Sequence, residues 1–154
     1  MIFIKTNRLK LKDYVSAAWR YDSKLPKFYD NNLPEKDYES MVADTTKKIS
    51  DFYYRATSTE FYGIEIGSNY AGFVVTEPKR KILYSFGLNL NYRSSENLST
   101  MFRFICSKLN NDFYCLLYKH NERAVNFLKR CGMQQIDGMI DDPEIVYLKY
   151  ELCQ

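Results

Sequence analysis

The sequence NERAVNFLKRCGM, which runs from Asn121 to Met133, has the pattern of a complete short helix. Its apolar residues recur at the three- and four-residue spacing of one helix face: Ala124, Phe127, Leu128 and Cys131. Asn121 suits the N-cap position, where a short polar side chain can accept a hydrogen bond from a first-turn amide. Gly132 suits the left-handed position just past the last turn. The segment therefore predicts a helix with a defined start and a defined end.

The neighbouring segments predict further strands and one more helix. The apolar, β-favouring run from Phe113 to Tyr118 predicts a buried parallel strand before the helix. Ahead of that strand, apolar residues at helical spacing predict a helix that ends near Leu109: Leu98, Met101, Phe102, Ile105 and Leu109. The tail from Gln134 to Leu152 predicts two strands, of which the last runs from Ile145 to Leu152.

The first part of the chain predicts one strand and two helices. The apolar start of Met1 to Lys5 favours a strand, and Asp13 is expected to cap a helix that continues to about Ser23. A loop is expected from Lys24 to Asn32. Pro34 suits the first turn of a second, long helix, whose apolar face has a period near that of an α-helix: Tyr38, Met41, Val42, Thr45, Ile49, Phe52 and Tyr53.

The middle of the chain predicts a three-stranded meander. Glu60 to Ile66 and Ala71 to Thr76 flank Gly67-Ser68-Asn69, whose glycine and asparagine tolerate the positive φ of a tight turn. A second turn at Thr76 to Lys79 leads to a mostly apolar strand from Ile82 to Asn91, the pattern of a central strand.

The order of these elements and the segment from Asn121 to Met133 together resemble the GNAT (Gcn5-related N-acetyltransferase) family. The family pattern Asn-x-x-Ala-x-x-Phe-Tyr-x-Lys-x-Gly-Phe shares its asparagine, alanine, phenylalanine, glycine and a basic residue with this segment. The resemblance implies an α/β (α+β) three-layer fold formed by residues 1–154 as a single domain. It also implies a central mixed, mostly antiparallel sheet of about six or seven strands, flanked by about four helices.

Composition limits the classes of function. At 154 residues the chain has the size of one domain, and a net charge of +3 with only Lys79 to Lys81 as a basic cluster does not predict nucleic-acid binding. Four widely spaced cysteines predict buried free thiols in a reducing compartment, with neither a metal site nor a redox motif: Cys106, Cys115, Cys131 and Cys153. We expect a cytoplasmic protein without a secretory signal or a membrane span.

The resemblance also implies where acetyl-CoA would bind. In the family the pantetheine arm enters a splay between the fourth and fifth strands, and the pyrophosphate lies on the helix start after the fourth strand. The loop pattern there is Arg or Gln-x-x-Gly-x-Gly or Ala, against Arg93 to Leu98 in this chain. Glu96 and Leu98 replace both small residues, so the loop is degenerate. If acetyl-CoA binds, the expected contacts are Arg93, Ser94, Ser95, Asn97, Ser99 and Asn121.

A second departure from the family concerns proton transfer. Leu128 stands where many members have the tyrosine that protonates the leaving thiolate, and leucine cannot donate a proton. His120, the sole histidine, follows the fifth strand and is a candidate general base, although a surface or helix-capping role is the alternative. Three polar residues near the fourth strand are placed where a general base is expected, but their side chains are poor bases: Ser85, Asn89 and Asn91. Two glutamates, Glu65 and Glu77, lie nearer the far ends.

Two hypotheses of different classes follow. The preferred one is a non-catalytic, GNAT-like structural or interaction module with protein partners in a larger assembly and no cofactor. Compact proteins of this type occur among virion-associated phage proteins, and a composition rich in Asn, Lys and Tyr suits a phage of an AT-rich host. The alternative is an acetyl-CoA-dependent N-acetyltransferase with a divergent loop. Aromatic residues make up 16% of the chain, including 14 Tyr, which favours bulky packing or a contact surface.

Overall fold

The computed structural model of the chain describes residues 1–20, 22, 38–53, 58–138 and 142–152. One seven-stranded sheet forms its centre, with the strand order β1-β2-β3-β4-β5-β7-β6. All neighbouring strands are antiparallel except β4 and β5, which are parallel. The strands are β1 (Ile2–Thr6), β2 (Glu60–Ile66), β3 (Asn69–Glu77), β4 (Ile82–Leu88), β5 (Asp112–Tyr118), β6 (Gln134–Ile136) and β7 (Ile145–Glu151).

Helices cover both faces of this sheet. The described residues contain α1 (Arg8–Trp19), α2 (Tyr38–Tyr53), α3 (Ser95–Lys108) and α4 (Glu122–Arg130), with a 3-10 turn at Leu90–Tyr92. One apolar core joins α1 and α2 to one face, and a larger core joins α3 and α4 to the other. The prediction of a mixed, mostly antiparallel sheet flanked by about four helices is confirmed.

The first helix starts earlier than the sequence suggested. Its N-cap is Asn7, whose side chain accepts a hydrogen bond from the Lys10 amide at 2.9 Å. The prediction that Asp13 is the cap was wrong, because five residues starting at position 11 already lie on the buried face at helical spacing: Leu11, Tyr14, Val15, Ala18 and Trp19. The predicted end near Ser23 was also wrong, because the helix ends at Trp19 and Arg20 leaves the helical conformation with a ψ of 134°. The loop from Lys24 to Asn32 and the start at Pro34 lie outside the described residues.

The three strands of the meander are confirmed, with differences in their bounds. The middle strand begins at Asn69, which was predicted as a turn residue, and ends at Glu77. The strand predicted to reach Asn91 stops at Leu88, and the chain then forms a 3-10 turn. The reason is Asn89, which is buried: its Nδ2 donates to Ala17 O at 2.7 Å, while its Oδ1 accepts from the Asn91 amide at 2.9 Å. Asn89 thereby ties the end of β4 to the last turn of α1.

The helix predicted from the 121–133 segment is confirmed, with one difference at its start. Asn121 occupies the N-cap position, but its side chain makes no capping hydrogen bond. Gly132 has a φ of 105°, as its predicted position requires. The Met133 amide donates to Leu128 O at 3.0 Å and the Gly132 amide to Lys129 O at 3.0 Å, which together form a Schellman motif.

The described cysteines are free thiols, as predicted. Cys106 and Cys115 are buried, and Cys131 is partly buried. Burial raises the pKa of the Cys115 thiol to about 12. Cys153 lies outside the described residues. In the part of the chain that the structure describes, no helix combines the length and the apolar character needed to cross a bilayer.

Candidate functional site

The strands β4 and β5 separate soon after they meet. Ile82 lies opposite Tyr114 and Leu83 lies opposite Cys115, and these are the only registered pairs between the two fully described strands. Beyond them, Tyr84–Leu88 and Leu116–Tyr118 diverge. A parallel pair that opens in this way leaves a cleft whose mouth faces the carboxyl ends of both strands.

A bulge contributes to this opening. On β4, Tyr84 is an extra residue between the pairs Leu83–Thr76 and Ser85–Val75. Such an extra residue bends the strand that carries it and increases its twist. We attribute the divergence of β4 from β5 in part to this bend, because it falls directly after the last β4–β5 pair.

Two arginines and one aspartate lie at the mouth of the cleft. Arg93, in the loop after β4, donates from Nη2 to Asp22 Oδ2 at 2.8 Å and from Nε to Leu88 O at 2.7 Å. Arg123, in the first turn of α4, donates to the same Asp22 Oδ2 at 2.8 Å and to Oδ1 at 3.2 Å. We call Asp22, Arg93 and Arg123 the Asp22 cluster. It connects the loop after β4, the helix after β5 and the segment after α1.

The Asp22 cluster is electrostatically favourable despite its burial. Only 2% of the Asp22 side chain is exposed, against 21% for Arg93. Burial by itself raises the pKa of the Asp22 carboxyl, but the hydrogen bonds from Arg123 and Arg93 outweigh that effect, so its pKa is lowered. Asp22 is therefore a carboxylate at neutral pH.

Ser94 and Asn97, at the start of α3, make hydrogen bonds within the chain. Ser94 is the N-cap, and its Oγ accepts from the Asn97 amide at 3.1 Å. The Asn97 side chain donates to Tyr92 O at 2.9 Å. Glu96 is exposed in the first helical turn, where a carboxylate repels an approaching phosphate. In this arrangement the residues do not fit a pyrophosphate group.

The interior of the cleft contains apolar side chains. Phe86 of β4 lies 5.8 Å, between ring centroids, from Phe127 of α4. Leu128 is fully buried in the larger core. A proton donor is thus absent at position 128 both by residue type and by orientation, since this side chain packs into the core.

A polar groove of about 400 Å³ lies on the α1 side of the same region. Its walls come from α1, the start of β3 and the loop after β4, and they include Asp13, Ser16, Arg20, Tyr70, Asn89 and Tyr92. Its carboxylate and amide groups can hold a small polar molecule through hydrogen bonds.

Comparison with known proteins identifies the architecture. No protein-family model matches the sequence, and no curated protein does. Among solved structures, an acetyltransferase from Thermus thermophilus superposes with a TM-score of 0.68 at 12% identity, covering 98% of this chain and 96% of that one. The spermidine N-acetyltransferase SpeG from Vibrio cholerae, in complex with CoA and spermine, gives 0.54 at 12% identity, covering 97% and 92%.

This chain has the GNAT acetyltransferase fold. The identities are low, so the likeness concerns the GNAT fold and leaves the chemistry to the residues of this chain.

Within the GNAT fold the predicted base candidates are dispersed. Glu77 lies opposite Ile82 at the closed end of the cleft and accepts from Ser58 Oγ and from the Lys79 amide. Glu65 accepts from Tyr14 OH at 2.8 Å. His120 follows β5 near the mouth, where its ring stacks on Tyr118 with centroids 5.4 Å apart.

The predicted cofactor ligands are not drawn together around an open phosphate site. Arg93, Ser94 and Asn97 bind within the chain, while Ser95 and Ser99 are exposed on α3. Asn121 starts α4 on the other side of the mouth, and its amide donates to Tyr118 O at 3.0 Å. Their role as acetyl-CoA ligands stays a prediction. Among the described residues, no group of His, Cys, Asp and Glu could hold a metal ion.

Two important residues were missed by sequence reasoning. Asp22 carries no motif, and its partners lie 71 and 101 residues away in the chain. Arg123 was visible only as a variable position of the 121–133 segment. No local pattern marked Asp22 as buried, because a charged residue is rarely fully buried unless it is paired, and its partners are set by the tertiary fold.

Proposed function

We propose that this protein is a non-catalytic GNAT-fold module that acts through protein partners in a larger assembly. The observation that carries this proposal is the pair of hydrogen-bond partners that Arg93 has within the chain. The residue that leads the family's phosphate loop is held by Asp22 and by Leu88 O, so its guanidinium is directed into the chain. A partly buried guanidinium that makes hydrogen bonds to both Asp22 and Leu88 O is a structural element in this arrangement.

Further observations at the cleft support the proposal. Leu128 cannot donate a proton and is fully buried, and the Phe86–Phe127 contact places apolar rings between β4 and α4. Glu96 adds a negative charge at the helix start that would meet the phosphates. These features favour a cleft that contributes to packing.

An exposed aromatic surface on β5 supports a role in protein contacts. Tyr114, Leu116 and Tyr118 alternate with residues buried under α3 and α4, so they lie on the opposite face of the sheet. Their exposed fractions are 37%, 39% and 57%. Leu116 of β5 and Ile136 of β6 both lie opposite Tyr147 of β7, and Ile136 is 39% exposed. Apolar and aromatic groups in one row are typical of the core of a protein interface.

The wider setting of the proposal is a phage particle or its host cell. The composition rich in Asn, Lys and Tyr supports a phage of an AT-rich host, and compact GNAT-like proteins occur among virion-associated proteins. The proposed location is accordingly the host cytoplasm or the virion.

Calorimetric titration with acetyl-CoA and with CoA tests the absence of cofactor binding. We expect no binding tighter than roughly 100 μM, about −5.5 kcal/mol. Tighter binding that disappears in Arg93→Ala would contradict the proposal. Lys119→Ala is a suitable control, because it removes one exposed positive charge near the mouth without touching the Asp22 cluster.

Co-sedimentation of the tagged protein from its producing cells tests the assembly role. We expect wild type in a large complex and Leu116→Glu as a free chain, because a charge at the centre of an apolar contact is strongly unfavourable. Leu9→Glu is the matched control, since Leu9 belongs to α1, outside the β5 row, and is 83% exposed. If Leu116→Glu remains in the complex, the β5 surface is not the contact.

The second candidate function is an acetyl-CoA-dependent N-acetyltransferase. The observation that favours it is the separation of β4 and β5. The last pair between these strands is Leu83–Cys115, and the strands diverge after it. The SpeG neighbour was solved with CoA and spermine, and the polar groove with Asp13 could hold an amine acceptor. Acetyl transfer from acetyl-CoA to spermidine or spermine, reduced in Asp13→Asn, would establish this candidate.

A further inference from the structure

The polar groove lies on the β3 side of β4, away from the cleft. In the sheet, β3 borders β4 on one side and β5 borders it on the other. The cleft opens between β4 and β5, whereas α1, the start of β3 and the loop after β4 form the walls of the groove. None of the three residues of the Asp22 cluster lines it. The groove is therefore a site separate from the cleft.

One stripe of α1 forms a wall of this groove. The stripe consists of Asp13, Ser16, Ala17 and Arg20. Because these positions recur at three- and four-residue spacing, they share one face of the helix, and none of them belongs to its buried face. The stripe thus carries a carboxylate at one end and a guanidinium at the other.

Hydrogen bonds between the walls fix the shape of the groove. Asn89 is 7% exposed, donates to Ala17 O at 2.7 Å and accepts from the Asn91 amide at 2.9 Å. The Asn69 side chain donates to the Tyr92 hydroxyl at 3.1 Å. These contacts connect α1 with the loop after β4, and that loop with the start of β3. A groove whose walls are already connected orders little on binding, which favours affinity.

Asp13 and Arg20 bring two unpaired charges of opposite sign to the groove. Both residues are exposed, and neither side chain makes an ion pair or a hydrogen bond within the part of the chain that the structure describes. Their Cα atoms are separated by seven residues of helix, roughly 10 Å along its axis. Both charges are accordingly available to one ligand that extends along α1.

A ligand with one positive and one negative group matches these charges. A carboxylate binds an ammonium group, and a guanidinium binds a carboxylate, through charge-assisted hydrogen bonds. A dication would be repelled by Arg20 and a dianion by Asp13. The exposed Asn91 amide group adds a neutral donor and acceptor in the same groove. Its volume of about 400 Å³ is within the usual range of sites for small molecules.

We propose that the polar groove binds a small zwitterion of the ω-amino acid class, in which a short chain separates the ammonium from the carboxylate. Asp13 binds the ammonium and Arg20 binds the carboxylate. The ligand is released unchanged, because the groove and the cleft lie on different sides of β4. This inference goes beyond the proposed function, and it differs from the second candidate function, in which an amine in the groove would be acetylated.

Titration of the isotope-labelled protein by nuclear magnetic resonance provides the direct test. The probes are 4-aminobutyrate, 6-aminohexanoate and 8-aminooctanoate, which differ in the separation of their charges. We expect saturable shifts of the Ser16, Ala17 and Tyr92 amides with at least one probe. Hexylamine and hexanoate, which each carry one charge, should bind at least about fivefold more weakly than that probe. Equal binding of either, or no saturable shift with any zwitterion, would overturn the proposal.

Variants of the two charged residues assign the contacts. Asp13→Asn and Arg20→Gln should each weaken binding of the zwitterion at least about fivefold. Asp13→Asn should leave the weak binding of hexanoate undiminished, since Asp13 contacts only the ammonium; a merely structural role would reduce both. Glu122→Gln and Lys12→Gln are the controls, because each removes the same charge from an exposed residue outside the groove. Equal losses in a variant and its control would refute the assignment.

Incubation of the probe with acetyl-CoA and the protein separates this inference from both candidate functions. We expect mass spectrometry to show an unchanged probe. An acetylated probe would overturn the inference and would also contradict the non-catalytic module. Tight acetyl-CoA binding with an unchanged, groove-bound zwitterion would contradict only the proposed function, whereas absence of zwitterion binding would contradict only this inference.

Discussion

The Tyr14 ring lies directly against the backbone of Gly63, where a Cβ would overlap the ring atoms. Tyr14 belongs to α1 and Gly63 to the centre of β2, so the missing side chain allows the helix to approach the sheet. The Tyr14 ring also stacks on Tyr70 with centroids 4.2 Å apart, and its hydroxyl donates to Glu65 at 2.8 Å. This contact positions α1, which carries one wall of the polar groove.

Substitution of Gly63 by alanine should destabilise the protein. The added methyl group would push Tyr14 away from β2, and overpacking of this kind costs about 1–3 kcal/mol of unfolding free energy. Urea denaturation followed by fluorescence measures the change. Ser68→Ala in the exposed turn after β2 is the control, and we expect it to be near wild type. A wild-type midpoint for Gly63→Ala would show that α1 can shift without loss.

Replacement of Gly132 tests the end of α4 separately from packing. A Cβ at this position would lie 3.6 Å from Tyr150, an ordinary contact, but the φ of 105° is unfavourable for residues with a side chain. Gly132→Ala should therefore cost on the order of 1–2 kcal/mol. Gly132→Asn should cost less, because asparagine tolerates left-handed conformations better than alanine. Equal stability of the alanine variant and wild type in thermal unfolding would contradict this account.

The Asp22 cluster should contribute to the dependence of stability on pH. The pKa of Asp22 is lowered from its ordinary value of 3.8, because the arginine hydrogen bonds outweigh burial. A lowered pKa means that the stabilisation is complete above the unfolded-state pKa and is lost as the pH falls through the folded-state value. Urea midpoints should thus fall below about pH 4 in wild type, and Asp22→Asn should flatten that fall.

Salt distinguishes this buried contribution from an exposed one. Hydrogen bonds from Lys149 and Lys81 lower the pKa of Asp112 to about 2. That aspartate is far more exposed than Asp22, so added salt should weaken its pairing much more. The Asp112→Asn variant lacks the exposed pairing and keeps Asp22. If added salt also abolishes the loss of stability at low pH in this variant, Asp22 is not the source of that loss.

The described thiols should resist alkylation in the folded protein. Burial raises the pKa of Cys115 to about 12, and burial followed by the charge of Cys106 raises that of Cys131 to about 11. The second value lies two pH units above the ordinary 9.0, so roughly a hundredfold less thiolate is present. Iodoacetamide labelling read by mass spectrometry, in a Cys153→Ser background, should modify these sites only in denaturant. Rapid labelling of native Cys115 would be incompatible with its burial.

Most elements of the fold were predictable because their signals are local. The apolar spacing of α3 and the β-favouring run of β5 each depend on a few consecutive residues. The error at the end of β4 arose because a distant residue decided the outcome. Asn89 ends β4 because its side chain donates a hydrogen bond to Ala17 O, which lies 72 residues earlier in the chain.

The location of the candidate site could be predicted from the sequence, but the partners of its side chains could not. The degenerate loop could be read from Glu96 and Leu98, and the position of the cleft followed from strand order. The partner of Arg93 could not be found, since a carboxylate 71 residues away has no sequence relationship to it. The exposed face of β5 could not be predicted either. The alternation of side chains along a strand defines two faces but does not show which face a helix covers.

The sequence alone determined the helix from Glu122 to Arg130 and its end at Gly132, because periodicity and positive φ are properties of neighbouring residues. It also determined the absence of a proton donor at Leu128. Only the tertiary structure decided that Asp22 holds Arg93 and Arg123 at the mouth of the cleft. Such a cluster depends on the packing of three elements far apart in the chain, and that packing follows from burial of the whole core.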